Sequence, residues 1–181
     1  VHISSAIASG YKYMLIVTSD EAKARKMCDD ASFFNKEAIY YPAKDAIFYS
    51  ADVHGNQITG ERLRCISRII NHSSTGEGVL TVVTTMDGIA DRLIPVERFK
   101  EAVITLDYSS EIEPEKLAKK LVAMGFVRTG MVEDKGQFAI RGGIIDIFSY
   151  TDEAPVRIEL WDTEVDSIRM FDVESQRSIE R

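Results

Sequence analysis

The chain has 181 residues, of which 45% are hydrophobic and 28% charged, as in ordinary globular proteins. Its formal net charge of −7 argues against strong nonspecific binding to nucleic acid, although it allows a local basic patch. No run approaches the roughly 20 apolar residues that cross a bilayer, so we expect no membrane contact and a cytoplasmic location. The start at Val1 indicates a fragment of a longer protein.

Strands and helices alternate through the first half. Met14–Val17 is a continuous apolar run, typical of a strand covered on both faces. Thr18 and Glu21 form a capping-box pattern, which predicts a helix whose inward side ends with Phe34. Further strands are predicted at 38–41 and 79–83, further helices at 56–71 and after Thr85, and a loop at 73–78. This alternation predicts a parallel α/β sheet.

The pattern changes after about residue 104, where strands predominate. Helical spacing predicts one helix over 114–124, begun by Pro114 and closed by Gly125. Asp162 and Thr163 are short enough to form a hairpin turn. Strands are predicted at 126–132, 137–150, 155–161 and 164–171. We therefore expect an α/β parallel-sheet domain over 1–104 and a small α+β domain with an antiparallel sheet over 105–181.

The segment 156–161 alternates strictly. Val156, Ile158 and Leu160 form the apolar set, whereas Arg157, Glu159 and Trp161 form the other. Period two is typical of a half-buried strand, so the second set should face solvent. Aromatic residues and arginine are enriched in protein interfaces, which favours a binding surface here. The alternative is an ordinary solvated sheet face.

Gly142 and Gly143 interrupt the apolar run at 137–150. One extra residue in a glycine bulge would place Ile145 and Ile147 on the face of Phe138 and hold Arg141 at a bend. A plain turn between two strands is the alternative. We favour the bulge.

Catalytic and cofactor motifs are missing from the sequence. There is no G-x-x-x-x-G-K-[ST] phosphate loop, and the three histidines and two cysteines show no metal-ligand spacing. Asp20 and Glu21 are best explained as the first turn of a helix, where negative charge offsets the macrodipole. We therefore predict no catalytic residue, no metal and no cofactor in this segment.

Two long motifs resemble the bacterial transcription-repair coupling factor family, Mfd. They are Gln-Phe-Ala-Ile-Arg-Gly-Gly-Ile-Ile-Asp-Ile-Phe at 137–148 and Pro-Val-Arg-Ile-Glu-Leu-Trp-Asp-Thr-Glu-Val-Asp-Ser-Ile-Arg at 155–169. Both lie in the part of that family that is similar to UvrB. Upstream, Tyr-Pro-Ala-Lys-Asp at 41–45 fits the same pattern, so the resemblance covers nearly the whole chain.

The resemblance implies a degenerate RecA-like domain followed by a UvrA-binding domain, with UvrA and other domains of the parent chain as partners. By motif, the UvrA contacts fall on Arg141, Arg157 and Trp161. The supporting residues would be Gly142, Gly143, Glu159 and Arg169. ATP and magnesium would belong to a translocase motor outside this chain. DNA and RNA polymerase would likewise be bound through parts that the chain lacks.

Two other functions are compatible with parts of the sequence. The first is the N-terminal part of UvrB itself, an ATP-dependent DNA-binding protein, which would need an intact phosphate loop. The second is a small nucleotide-binding α/β enzyme, which would need a glycine-rich loop after a strand. The phosphate loop required by the first and the glycine-rich loop required by the second are both missing from the sequence.

Overall fold

A three-stranded parallel sheet and a five-stranded, mostly antiparallel sheet form the two halves of the chain. The structure is a computed structural model that describes residues 10–34, 36–44, 53–75 and 78–179, without the side chains of 53–55 and 75. It divides into two compact units, Val1–Val96 and Glu97–Arg181. The predicted fold class, an α/β domain followed by an α+β domain, is confirmed.

The first unit is built around a central buried strand. Its elements are β1 (Tyr13–Thr18), α1 (Glu21–Phe34), β2 (Ala38–Tyr40), α2 (Val53–Thr75), β3 (Leu80–Thr85), α3 (Met86–Ala90) and the start of α4 (Val96–Ala102). The strand order is β1-β3-β2, with both pairings parallel. Leu80 and Val83 are fully buried in this central strand, and Leu80 packs in one apolar cluster with Cys65 and Ile69 of α2.

Three local predictions for this unit are wrong. β1 is not covered on both faces, since Leu15 is 58% exposed on a strand that pairs only with β3 in the described part of the chain. Asp20, rather than Thr18, caps α1, because its carboxylate accepts the amide hydrogen of Lys23 at 2.9 Å. Phe34 is exposed, because 100° per residue places it about 80° around the helix from buried Ala24.

Other boundaries in the first unit also differ from the prediction. The segment 73–75 continues helix α2 instead of starting a loop. The Thr85 cap is confirmed, since its hydroxyl accepts the amide hydrogen of Gly88 at 3.2 Å. The helix that it caps ends at Ala90, and the helix α4 that follows was not predicted. No helix among the described residues is long and apolar enough to cross a membrane.

The second unit packs one helix on one face of its sheet. The elements are the rest of α4, α5 (Pro114–Ala123), β4 (Val127–Arg128), β5 (Gln137–Arg141), β6 (Ile144–Phe148), β7 (Val156–Trp161) and β8 (Glu164–Met170). The strand order is β4-β5-β6-β7-β8. Leu117 and Leu121 of α5 pack against Phe138, Ile145 and Ile158 to form the core. We call this the inner face of the sheet.

The helix α5 begins and ends as predicted. Pro114 occupies its first turn, where no backbone amide partner is lost. Gly125 follows the helix with φ 91°, a left-handed conformation that favours glycine. The predicted strand over 126–132 is wrong in extent, since only Val127–Arg128 pairs with β5.

The glycine pair is a turn, and the bulge prediction is wrong. Ile140 pairs with Ile145 and Arg141 with Ile144, so Gly142 and Gly143 form a two-residue hairpin loop. Gly142 has φ 61°, as the first central residue of a type II′ turn requires. The sheet irregularity lies elsewhere, where β8 shifts register opposite Glu159 and Leu160. The predicted Asp162–Thr163 hairpin turn is confirmed.

Candidate protein-interaction surface

The face of the sheet opposite α5, which we call the outer face, carries the candidate residues. Residues paired across antiparallel strands share a face, so Asp146, Arg157 and Arg169 stand in one row across β6, β7 and β8. The next row contains Arg141, Ile144, Glu159 and Ser167. Period two along β7 then places Trp161 on this face as well, opposite Glu164.

Asp146 lies between the two candidate arginines. It is fully buried, and its carboxylate accepts hydrogen bonds from Arg157 Nε at 2.7 Å and Arg157 Nη2 at 2.9 Å. Arg141 Nη2 donates to the same carboxylate at 2.5 Å. The pKa of the Arg157 guanidinium is raised above its ordinary value, chiefly because Asp146 accepts its hydrogen bonds. Two cations therefore share one buried anion, which leaves the cluster with a net positive charge.

Arg157 is enclosed by more than Asp146. Its guanidinium lies 4.5 Å from the ring centroid of Phe171, and Nη1 donates to the carbonyl of Gln176 at 3.2 Å. Only 16% of its side chain is exposed. The expectation that Arg157 is presented openly to solvent is therefore wrong, because residues after β8 fold back over the middle of the outer face.

A tight turn after β8 positions the Gln176 carbonyl. The carboxylate of Asp172 accepts hydrogen bonds from the hydroxyl and the amide of Ser175, which lower the pKa of Asp172. The Gln176 side chain donates to the carbonyl of Val132 at 3.1 Å. Beneath this turn, a small apolar cluster consists of Val132, Ala139, Phe148 and Phe171. The outer face is thus partly a second core, around which Arg141, Trp161 and Arg169 stay exposed.

Arg141 and Trp161 are the accessible members of the predicted set. Arg141 has 42% of its side chain exposed, although Nη1 also donates to the carbonyl of Gly130 at 2.8 Å. Trp161 is 80% exposed at the end of β7. The amide of Leu160, its neighbour, donates to the carbonyl of Gly143 at 2.8 Å, so the indole stands at the level of the β5–β6 turn.

The predicted supporting residues have separate roles. Glu159 accepts hydrogen bonds from Ser167 at 3.0 Å and from Arg169 at 3.3 Å, which forms a surface ion pair. A Cβ at Gly143 would lie 2.9 Å from the carbonyl oxygen of Leu160, so this position allows the close approach of β6 and β7. Gly142 supplies the left-handed turn conformation.

Asp146 is the site residue that the sequence analysis missed. It stands in the apolar run Ile144-Ile145-Asp146-Ile147-Phe148, where a carboxylate on the buried middle strand of a sheet needs a charged partner. That requirement was a usable signal. The Asp146 cluster offers hydrogen-bond donors and one net positive charge, and Trp161 adds an exposed indole, which suit protein recognition. Among the described residues, no group of histidine, cysteine and acidic side chains could hold a metal ion.

Comparison with known proteins agrees with the predicted family. Residues 104–181 match the family model described as the UvrB interaction domain. The chain is 40% identical over 171 residues to the transcription-repair-coupling factor of Bacillus subtilis, which covers 93% of this chain and 14% of that protein. It is 36% identical over 178 residues to the transcription-repair-coupling factor of Staphylococcus aureus strain USA300, a match that covers 97% of this chain and 15% of that protein.

The chain thus spans only about one seventh of the length of these curated relatives. The match nevertheless runs through both units of the fold, since it includes 93% and 97% of the chain. Residues 104–181 therefore match the UvrB interaction domain family, and the chain as a whole is similar to one segment of the transcription-repair-coupling factors.

Proposed function

We propose that this chain is a protein-interaction module that binds UvrA, and that its parent protein acts in transcription-coupled DNA repair. The names of the relatives and of the matching domain family support the repair role. The outer face of the second unit supplies the binding surface, with Arg141, Arg157 and Trp161 as the proposed contacts. In this role the segment recruits a partner and catalyses no reaction itself.

The exposure of Trp161 is the observation that carries the proposal. An indole that is 80% exposed leaves a large apolar surface in water. Burying most of a tryptophan, about 150–250 Å² at about 25 cal/mol per Å², would contribute roughly 4 to 6 kcal/mol before the costs of association. Trp161 has few rotatable bonds, so little entropy is lost when a partner covers it.

The charge of the surface specifies the chemistry of the partner. Arg141 keeps unengaged N–H groups, and the Arg141–Asp146–Arg157 cluster has one positive charge in excess. An acidic patch beside an apolar pocket on UvrA would satisfy both the guanidinium and the indole. Arg157 would add to this contact through the small exposed part of its side chain.

A direct binding assay tests this function. The affinity of the chain for purified UvrA at moderate salt should fall by about 2 kcal/mol or more, roughly 30-fold, in Trp161→Ala. Phe33→Ala is a matched control, since Phe33 is an exposed aromatic residue (87%) on helix α1 of the first unit. Equal affinity of Trp161→Ala and wild type would refute the assigned surface, and failure of the wild-type chain to bind would refute the function.

The remaining steps of repair belong to other parts of the parent protein in this proposal. Contacts to stalled RNA polymerase and DNA, and any use of ATP and magnesium, would come from regions beyond this chain. The module would deliver UvrA to the polymerase that those regions hold. Fusing the chain to an unrelated DNA-tethered protein should therefore bring UvrA to that site without any ATP hydrolysis by the fusion.

A further inference from the structure

The side chains around Asp146 are held more tightly than two solvent-exposed arginines would be. The Asp146 carboxylate is fully buried and receives N–H donors from both Arg141 and Arg157. Each arginine is also held by a backbone carbonyl, Arg141 by that of Gly130 and Arg157 by that of Gln176. Both guanidinium groups are therefore fixed at two points.

The two arginines differ in what remains available for a partner. The Arg157 side chain is 16% exposed and its guanidinium lies over the ring of Phe171, so most of this side chain contacts buried residues rather than solvent. The Arg141 side chain is 42% exposed although it bonds the same carboxylate. Asp146 thus holds one arginine that is mostly buried and one that reaches the surface of the face that also carries Trp161.

Fixing Arg141 before binding has an energetic consequence. An arginine in solution samples many rotamers, and ordering it on binding lowers affinity by about 2- to 12-fold. Without Asp146, the guanidinium groups of Arg141 and Arg157 would also repel each other, which would drive Arg141 away from its observed place. The Asp146 carboxylate between the two arginines removes both the cost of ordering Arg141 on binding and the repulsion between the guanidinium groups.

We propose that Asp146 is a positioning residue, which holds the Arg141 guanidinium in its binding orientation, and that Arg157 acts mainly by anchoring Asp146. This inference rests on the proposed function for its consequence in UvrA binding. Arg141 and Trp161 are then the principal contacts. Asp146 never touches the partner, yet its removal weakens the contact made by Arg141.

A double-mutant cycle measures this dependence. Arg141→Ala should weaken UvrA binding about 10-fold in the wild-type background, and Asp146→Asn, which keeps the side-chain shape, should weaken it to a similar degree. Adding Arg141→Ala to the Asp146→Asn variant should cost less than about 2-fold more. A purely structural Asp146 would instead give independent losses that multiply to about 100-fold, which would overturn the proposal.

A second variant guards against loss of folding. Replacing a buried ion pair by apolar residues of similar size is often neutral for stability, so Asp146→Leu combined with Arg157→Leu should fold even where Asp146→Asn does not. In this pair variant, Arg141→Ala should again have less than about a 2-fold effect. Arg169→Ala is the control background, because Arg169 pairs with Glu159 and leaves the Asp146 cluster intact. The 10-fold effect of Arg141→Ala should persist there.

Arginine side-chain NMR on the free chain tests the positioning without UvrA. The Arg141 Nε–H group should be as ordered as the backbone in wild type and should become mobile in Asp146→Asn, whereas that of Arg169 should be unchanged. If wild type fails to bind UvrA, the proposed function falls, and this measurement still decides the role of Asp146. Equal Arg141 mobility in wild type and Asp146→Asn would overturn the positioning role even if UvrA binds.

Discussion

Replacing Arg157 by alanine should destabilise the second unit strongly, which an exposed interface arginine would not do. The change leaves the fully buried Asp146 with Arg141 as its remaining charged partner. Removing one partner of a buried ion pair costs about 3–5 kcal/mol, and Arg141 should keep the loss near the lower limit. Loss of the contact with Phe171 and of the Gln176 hydrogen bond adds roughly 1 kcal/mol. We therefore expect about 4 kcal/mol in total.

Hydrogen exchange is the suitable assay, because it reports on each unit separately. The amides of β6 and β7 that exchange by global unfolding of the second unit should exchange roughly 1,000-fold faster in Arg157→Ala, whereas those of β3 should not change. Arg169→Ala is the matched control, since Arg169 is half exposed and its ion pair should contribute less than about 1 kcal/mol. Similar small effects of both replacements would refute the account of the Asp146 cluster.

Three further predictions follow from individual residues. Gly142→Val should destabilise the second unit by about 1–2 kcal/mol, and Gly142→Asn by less, because asparagine tolerates the left-handed φ of 61°; denaturant unfolding of both variants measures this. Burial raises the pKa of Cys65 from 9.0 to about 11, so the buried protonated thiol stabilises the fold below pH 9. That contribution is lost as the pH rises from 9.0 to about 11. Over this pH range the free energy of unfolding should fall by about 2–3 kcal/mol more in wild type than in Cys65→Ala. Thr85→Ala should lower the stability of the first unit by about 1 kcal/mol in a thermal melt, whereas Thr85→Ser, which keeps the capping oxygen, should lower it less.

The face on which each candidate side chain lies could be predicted from the sequence. Alternation along a strand is a local property of the sequence. It correctly assigned Val156, Ile158 and Leu160 to the inner face and Trp161 to the outer face. The family motif named Arg141 as a contact, and the strand pairing places it on the same outer face. These assignments did not depend on knowing what else packs on the sheet.

The burial of Arg157 could not be predicted from alternation, because it depends on contacts far along the chain. Asp146 is 11 residues away and Gln176 is 19 residues away, and both contacts depend on how separate strands and turns come together rather than on alternation within β7. The turn that carries Gln176 covers the outer face through contacts with Arg157 and Val132, which are distant from it in sequence. A face that alternation marks as polar can therefore still be mostly closed.

The error at Gly142 and Gly143 has a simpler cause. Two adjacent glycines between apolar runs suit both a bulge and a two-residue hairpin, and the parity argument assumed one continuous strand. In the hairpin, pairing of Phe138 with Ile147 reverses the chain and places Asp146 beside Ala139 on the outer face. A buried carboxylate opposite Arg157 is favourable there, whereas the inner face offers only apolar neighbours.

The most direct test of the account observes Trp161 itself during binding. Trp161 is the single tryptophan of the chain, so labelling with 5-fluorotryptophan gives one ¹⁹F resonance that reports on the proposed contact. On titration with unlabelled UvrA, we expect this resonance to shift saturably and to lose the H₂O/D₂O isotope shift of an exposed indole. Calorimetric binding of UvrA with an unchanged resonance, still as exposed as in the free chain, would contradict the central claim that this surface meets the partner.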